Sequence, residues 1–481
     1  MQEMPIKRVF NVMMTHCFVL TFVLYLPMVL KGTIEMHEIN LSGAHEITVI
    51  GAGPAGLLAA YRLKQAGIPV RVVEARSRIG GRLYSYPQEK IEFGAWSLGD
   101  GGNIEYVQSL ATELGLELYT SRMPFPGYSL KDGQLVDVSS LFKELIGNDQ
   151  EKTRARLASI IDSSRSLQDV LDVFFKDHSI LKQFCESLTL VYHGSAAADI
   201  SAKFYKESII ELCLGGVSDL YTHSVSFFPL YRVRGGNDLI VKKLAEYLKD
   251  SLELNKPLKG LCKGNKQKIK LLFADGTSQE TDSVILALPI SAYHTLEIED
   301  GLIPVQQLET IKKTCPGVVS KIFIAARGCA YPKGFFISDG YSAGIGEDDK
   351  YLTMHWAKPV DLEVCRKSVS MVTRALNWPE PSEFITIQDS SRESFPPNAA
   401  LIVDWPHTAY THGSYCAFSP AQNDFLRYEN IDGVLVNALF KPAGNIFFAG
   451  EAASVHASSG SVGAALESAE VAVRLIKQRW G

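Results

Sequence analysis

The chain has 481 residues, of which 46% are hydrophobic, and its formal net charge is -5. A chain of this size can bury a large core and predicts about two domains. The slight negative charge gives no reason to expect nucleic acid as a partner. Eight cysteines form neither a C-x-x-C motif nor a metal-binding pattern, which favours thiols in a reducing compartment and predicts no metal site.

An apolar run over residues 9–30 follows Lys7 and Arg8. Its length is enough to cross a bilayer, and the two preceding bases favour a membrane anchor whose N-terminus lies inside. We therefore expect a membrane-anchored protein, although this orientation would place the rest of the chain outside the compartment that the cysteines favour. Two alternatives stay open: a signal peptide, or a cytoplasmic protein whose translation starts near Met36.

The strongest pattern begins at residues 47–50, a β-branched run typical of a buried parallel strand. Gly51, Gly53 and Gly56 follow it as G-x-G-x-x-G. The first glycine allows a tight turn, the second lets a pyrophosphate approach the backbone, and the third lets helix and strand pack closely. The helix that starts here would direct free N–H groups and its positive dipole end at the phosphates.

A helix and a second strand complete this unit. Apolar residues keep helical spacing up to Gly67, and the strand 70–73 closes on Glu74. The Glu74 carboxylate is placed to accept hydrogen bonds from the ribose hydroxyls of an adenosine. Because strand, turn, helix, second strand and terminal acid all agree, the stretch predicts a dinucleotide-binding βαβ unit.

The residues after Glu74 indicate which dinucleotide is bound. Residues 75–76 and 78–82, read with Glu74, resemble the E-A-R-x-R-x-G-G-R extension of the flavin-containing amine oxidase family, whose members bind FAD. The glycine turn would let a flavin approach the backbone, and Arg82 would neutralise pyrophosphate charge. Phytoene desaturases and protoporphyrinogen oxidases share this extension, so it indicates FAD better than it indicates the reaction.

Further segments resemble the same family. Residues 94–96 match the glycine-rich segment that passes the reactive ring, and Leu258 matches the position whose backbone receives the adenine. Gly450 and Glu451 match a contact with the ribityl-phosphate arm, and residues 460–462 open a helix aimed at flavin N1 and C2=O. The cofactor-binding residues that the resemblance implies are Gly51, Gly53, Pro54, Ala55, Gly56, Glu74, Ala75, Arg76, Gly81, Arg82, Gly94, Ala95, Trp96, Leu258, Gly450, Glu451, Ser461 and Val462.

Lys321 is the first candidate catalytic residue. The stretch VVSKIFIAAR, which starts at Val318, resembles the family strand whose lysine holds a water beside flavin N5, and Lys321 is the matching residue. A lysine inside so apolar a strand is costly to bury without a role. Because strand periodicity leaves its face open, a lysine that simply faces solvent stays as the alternative.

The segment that starts at Trp405 resembles the family segment at the face of the flavin. Ser414 stands where monoamine oxidases carry a cysteine bonded covalently to the flavin, and Cys416 lies two residues further on. We therefore expect FAD to be bound non-covalently. Tyr415, the second candidate catalytic residue, matches one wall of the family's aromatic cage, and Ser461 matches the other, so half of that cage is missing.

The remaining segments say less about function. Residues 121–229 are predicted to be mostly helical and to cover the substrate cavity. A hairpin is predicted with Asp275 and Gly276 as its turn, and residues 446–448 are predicted as the last central strand. Residues 95–98 lack the arginine that clamps a substrate carboxylate in many amino-acid oxidases of the family, which disfavours an amino-acid substrate.

The resemblance implies an α/β fold, with a Rossmann-like FAD-binding domain interleaved with an α+β substrate domain. The predicted boundaries are 1–44 for the N-terminal hydrophobic segment, 45–120, 230–290 and 401–481 for the FAD-binding domain, and 121–229 and 291–400 for the substrate-binding domain.

The implied function is FAD-dependent oxidation of an amine C–N bond to an imine, with O2 reduced to H2O2. The substrate would be a small-molecule amine or amino acid. An L-amino-acid oxidase, a flavin desaturase or dehydrogenase, and a non-catalytic FAD-binding protein stay as alternatives.

Overall fold

The computed structural model describes residues 45–86, 91–98, 104–125, 127–131, 134–147, 149–214, 226–314, 316–325, 335–338, 340–344, 350–387, 395–455 and 460–480. The hydrophobic segment 1–44, with the anchor predicted at 9–30, lies outside these residues. Within the described ranges, no helix is both long and apolar enough to cross a membrane. Residues 45–481 cluster into one unit by their contacts, and their division into two interleaved domains stays a prediction.

Strands and helices are mixed along the described chain. The strands are β1 (Ile47–Ile50), β2 (Val70–Val73), β3 (Ser85–Tyr86), β4 (Ile91–Glu92), β5 (Leu118–Phe125), β6 (Gly127–Lys131), β7 (Gln134–Asp137), β8 (Ser226–Val233), β9 (Leu252–Glu253), β10 (Leu258–Lys263), β11 (Ile269–Phe273), β12 (Ser278–Thr281), β13 (Ser283–Leu286), β14 (Glu297–Ile298), β15 (Ser320–Ala325), β16 (Phe335–Ser338), β17 (Tyr341–Gly344), β18 (Tyr351–Trp356), β19 (Glu383–Ile387), β20 (Ala399–Val403), β21 (Tyr428–Ile431), β22 (Val434–Asn437) and β23 (Ile446–Phe448). The helices are α1 (Pro54–Gln65), α2 (Ile104–Glu113), α3 (Val138–Ile146), α4 (Gln150–Ser163), α5 (Leu167–Phe174), α6 (Ser179–His193), α7 (Lys206–Cys213), α8 (Leu239–Leu248), α9 (Val305–Lys313), α10 (Leu362–Ala375) and α11 (Val462–Trp480).

A five-stranded parallel sheet forms the base of the fold, in the order β23-β13-β1-β2-β9. Its two faces enter two different hydrophobic clusters, so every residue of β1 is buried. Val49 packs in the cluster that contains α1 and α11, whereas Ile50 packs in the other. Burial on both faces explains the continuous β-branched run, and the predicted βαβ unit is confirmed.

The turn between β1 and α1 needs two of its three glycines for packing. Gly51 has φ +106°, and a Cβ on Gly56 would lie 1.9 Å from the Gly51 carbonyl oxygen. A Cβ on Gly53 would meet nothing within 4 Å. The motif therefore closes the turn at its two ends and leaves open space at its centre, as a bound phosphate requires.

A second sheet of eight strands has the order β19-β20-β15-β18-β17-β16-β6-β7. Its central pairs β15/β18, β15/β20 and β17/β18 are antiparallel. One face packs against α10, where Ile322 and Met354 join Val369 in a buried cluster. Because strand residues alternate between faces, Lys321 and His355 project from the opposite face.

One prediction about an element is wrong, and one is confirmed. Residues 446–448 form β23, which lies at the edge of the parallel sheet and pairs with β13. Tyr293 and Phe440 pack against Phe448 and cover the strand. This packing explains why an edge strand has a sequence as apolar as that of a central strand. The prediction that residues 121–229 are mostly helical is confirmed for the described residues, where helices α3 to α7 predominate. The same range also contains β6, β7 and parts of β5 and β8, and local periodicity could not reveal the long-range pairs β5/β8 and β6/β16.

Candidate active site

One cavity of about 880 Å³ runs from the β1–α1 turn to the wall formed by β15, β18 and α6. It brings together every site residue predicted from the sequence except Gly56, which packs in the turn instead. Its volume is within the usual range for a ligand-binding pocket in a protein. Segments from both sheets therefore converge on a single site.

Glu74 lies at the end of the cavity nearest the glycine motif. It is buried, and its Oε2 atom accepts a hydrogen bond of 2.7 Å from the Ala52 backbone N–H. Its Oε1 atom accepts a hydrogen bond of 3.0 Å from the Arg76 backbone N–H. These bonds fix the carboxylate at the carboxyl end of β2, where a ribose can reach its remaining lone pairs.

Glu451 is a second carboxylate that lines the cavity. Its Oε1 atom lies 3.2 Å from Arg82 Nη2 and accepts a hydrogen bond of 3.1 Å from the Cys416 backbone N–H. Its Oε2 atom is buried and has no hydrogen-bond partner among the described residues. A buried acceptor without a partner is costly, so a ligand hydroxyl would relieve a real energetic penalty here.

Arg76 lines the cavity, as expected of a cofactor-binding residue, but its side chain also hydrogen-bonds to other parts of the protein. Its guanidinium donates hydrogen bonds to the Ala409 carbonyl, 3.1 Å from Nε, and to the Thr411 hydroxyl. These bonds hold the 409–411 segment against the cavity, which Tyr410 and His412 also line. The segment lies within the stretch from Trp405 that resembles the family segment at the face of the flavin, but no local pattern predicted its contact with Arg76, 333 residues away in the chain.

Lys321 is buried in the cavity wall, with only 4% of its surface exposed. Its Nζ atom donates hydrogen bonds to the Gly94 carbonyl and, over 3.3 Å, to the Glu92 carbonyl. Burial excludes the alternative of a strand lysine that faces solvent. The charge is instead held between β15 and the segment 91–96, which begins with β4.

A family model described as flavin containing amine oxidoreductase matches residues 54–477, most of the chain. The chain belongs to this family. It is therefore an FAD-dependent amine oxidoreductase, an enzyme that acts on CH–NH2 or CH–NH groups.

Individual relatives agree with the family assignment. Flavin-containing amine oxidase B of Canis lupus familiaris is 23% identical over 92% of this chain and 88% of its own. Protoporphyrinogen oxidase 2 of Arabidopsis thaliana is 27% identical, but the match covers 38% of this chain and only 38% of that relative. Among solved structures, cyclohexylamine oxidase from Brevibacterium oxydans has a TM-score of 0.68 at 18% identity and covers 91% of this chain and 99% of its own. That likeness establishes the fold.

The cavity of this amine oxidoreductase fits FAD by its own chemistry. The open space at Gly53, the fixed carboxylate of Glu74 and the unpartnered acceptor of Glu451 lie along one cavity. They are suited in turn to a phosphate, a ribose and a polyhydroxyl chain.

Tyr415 and Ser461 line the same part of the cavity. A Cβ on Gly460 would lie 3.3 Å from the Tyr415 Cβ, so the tyrosine packs directly against the start of α11. The Ser461 hydroxyl accepts a hydrogen bond of 3.0 Å from the Ala464 N–H and so caps this helix. Ser461 therefore supplies a helix cap where the family resemblance expects a second aromatic wall.

Ser414 and Cys416 differ in their access to the cavity. Ser414 lines it, whereas Cys416 is fully buried in a hydrophobic cluster outside the cavity wall. Burial by apolar neighbours keeps a thiol unreactive.

Two histidines that the sequence did not single out as site residues line the cavity. His193 ends α6, and burial lowers its pKa to about 4. His355 lies opposite Lys321 on β18, and burial together with the Lys321 charge holds its pKa well below the usual value. Both imidazoles are therefore neutral at pH 7, where each offers one donor and one acceptor. Their positions depend on long-range packing, which leaves no local sequence signal.

Glu92 is a buried carboxyl next to the Lys321 site. It accepts hydrogen bonds from the Ser85 hydroxyl and, over 3.0 Å, from the Asn237 N–H. Burial raises its pKa to about 7, well above its ordinary value of 4.5. The folded protein therefore binds the Glu92 proton more tightly than the unfolded chain does.

The raised pKa of Glu92 predicts that this residue destabilises the folded protein, by an amount that depends on pH. The stability that proton binding confers is complete below about pH 4.5 and is lost as pH rises through about 7. Relative to wild type, Glu92→Gln should therefore gain unfolding free energy between about pH 5 and pH 8, on the order of 3 kcal/mol. Urea unfolding of both proteins across this range measures the difference. Glu363→Gln, at an exposed ion pair on α10, is the control, and a difference independent of pH would contradict the assignment.

Proposed function

We propose that this enzyme oxidises the C–N bond of a small amine to an imine and uses O2 as the electron acceptor, with H2O2 as the second product. The imine then hydrolyses to a carbonyl compound and ammonia or an amine. FAD supplies the two-electron redox chemistry when it is bound. The observation that carries the proposal is the buried ammonium of Lys321 in the cavity wall.

Lys321 provides a positive charge where negative charge must develop. Its ammonium is held by the carbonyls of Glu92 and Gly94 at the segment that the family resemblance places beside the reactive ring. A fixed charge in a site shielded from bulk water stabilises an oxygen anion more strongly than a solvated charge does. Lys321 is also suited to hold a water molecule at this point, as its match in the family does.

Tyr415 is proposed to orient the amine. Its ring lines the cavity beside α11 and presents a π face that attracts an amine nitrogen. Ser461 offers no such face, so the cage has a single aromatic wall. We propose that the FAD-binding domain comprises 45–120, 230–290 and 401–481, and that 121–229 and 291–400 cover the substrate end.

An amine fits the cavity better than an amino acid. The arginines that line the described part of the cavity are Arg76 and Arg82, and both lie near the glycine motif. The reactive end holds Lys321, whose ammonium is engaged with backbone carbonyls. A substrate carboxylate would therefore lack the bidentate partner that an arginine provides.

Anaerobic mixing with a panel of amines and L-amino acids tests the reaction. We expect at least one amine to bleach the flavin absorbance, and O2 to restore it with formation of one H2O2 for each amine consumed. Bleaching by L-amino acids alone would identify an amino-acid oxidase. Reoxidation by an artificial acceptor but not by O2 would identify a dehydrogenase, and no bleaching by any compound would contradict the proposal.

Replacing Lys321 with methionine tests its role in the reaction with O2. The Lys321→Met protein should keep FAD bound but lose the charge near the developing anion, which slows reoxidation by roughly 10²-fold. Reduction by the amine should slow much less. Stopped-flow measurement of the two half-reactions separates these effects. Lys367→Met, at an exposed ion pair on α10, is the matched control, and unchanged oxygen kinetics in Lys321→Met would refute the role.

Acid precipitation tests whether FAD is bound without a covalent link. Ser414 offers no thiolate, and Cys416 is buried away from the cavity, so denaturation should release the flavin into the supernatant. Absorbance of the supernatant and pellet gives the result directly. Flavin that stays in the pellet of wild type but not of Cys416→Ala would show that Cys416 forms the bond.

A further inference from the structure

Three polar side chains form a row across the second sheet. Lys321 on β15 lies directly opposite His355 on β18, and His355 lies directly opposite Ser342 on β17. Opposite residues on neighbouring strands project from the same face, and all three line the cavity. Since neighbouring strands lie about 4.8 Å apart, Ser342 is about 10 Å from Lys321 along this row.

The row is an interruption in an apolar surface. On the same register line, Val403 follows Lys321 on one side and Ile337 follows Ser342 on the other, and both are buried. Polar side chains therefore occupy the three positions that face the cavity, and apolar ones occupy the positions beyond it. Because the polar positions coincide with the cavity, the row is better explained by ligand binding than by packing within the sheet.

Ser342 carries the second observation. It is fully buried, it lines the cavity, and its hydroxyl has no hydrogen-bond partner among the described residues. A buried hydroxyl left without a partner destabilises the folded protein, and a ligand that supplies the partner recovers that cost on binding. The neutral imidazole of His355, whose ring centroid lies 5.7 Å from that of Trp96, is its neighbour in the row.

We propose that Ser342 and His355 form a subsite for an uncharged, oxygen-bearing group of the substrate, above all a hydroxyl group, about 5 to 10 Å from Lys321. This inference rests on the proposed amine oxidation and names the class of amine. A serine hydroxyl and a neutral imidazole can both donate to and accept from a hydroxyl. The enzyme would then prefer hydroxylated amines over their deoxy analogues.

A second ammonium group is a poorer occupant than a hydroxyl. Lys321 is a buried cation at one end of the row, and the row itself contains no carboxylate. Glu207 and Glu211 also line the cavity outside this row, and both form ion pairs with Arg154, which balances one of their two negative charges. A diamine would therefore place its second charge near a like charge in a poorly solvated site.

Matched pairs of amines test the subsite. Suitable pairs are tyramine with 2-phenylethylamine, and 5-aminopentan-1-ol with pentylamine, with 1,5-diaminopentane as the charged comparison. For at least one pair, wild type should favour the hydroxylated member by about tenfold or more in kcat/KM. Ser342→Ala should reduce this ratio severalfold toward one, and the dissociation constant from stopped-flow flavin reduction should account for the change.

Two further variants test whether the effect is specific to the subsite. His355→Leu removes the second partner and should reduce the same ratio. Ser187→Ala makes the same chemical change at a buried serine of α6 that does not line the cavity, and it should keep the wild-type ratio. Equal ratios in Ser342→Ala, His355→Leu and wild type would overturn the subsite, as would a preference for the diamine. If none of these amines is oxidised but another amine of the panel is, the subsite fails and the proposed function stands. If no amine of the panel is oxidised, both fail, which distinguishes the two outcomes.

Discussion

The buried ammonium of Lys321 is the interaction on which the site depends. It extends from β15 of the eight-stranded sheet and donates to carbonyls of the segment 91–96. A buried charge is tolerated only where hydrogen bonds compensate its lost hydration. The two parts of the chain are therefore held together at the point where the reaction is proposed to occur.

Close backbone packing supports this junction. A Cβ on Gly94 would lie 1.9 Å from the Arg82 carbonyl oxygen, so only glycine allows the two segments to run side by side. The Ala95 N–H donates to that same carbonyl over 3.1 Å, and the Trp405 indole N–H donates to the Phe93 carbonyl over the same distance. The carbonyls that hold Lys321 are thus fixed on a rigid segment, which preserves the direction of its charge.

The sequence predicted those parts of the site whose residues are required by a local backbone conformation. The glycine motif, Glu74 and the helix beginning at Val462 each follow from a turn or a strand end, and the structure places them along one cavity. Burial of Lys321 could be argued from its apolar strand but not settled, because a strand has two faces. His193 and Ser342 reach the cavity through contacts between elements far apart in sequence, so no local pattern could reveal them. The edge position of β23 was hidden for the same reason, since aromatic residues elsewhere in the chain cover it.

The carboxylate of Glu451 joins three remote parts of the chain at one point. Arg82 comes from the first βαβ unit, Cys416 from the segment after β20, and Glu451 itself from the chain after β23. A molecule bound in this cavity would contact Arg82 and Glu451, which this junction holds in place, and would have no equivalent site on the unfolded chain. Folding and cofactor binding are then linked by mass action, and stability rises with the logarithm of the free FAD concentration above its dissociation constant. A cell that is short of riboflavin would consequently hold less folded enzyme, and not merely less active enzyme.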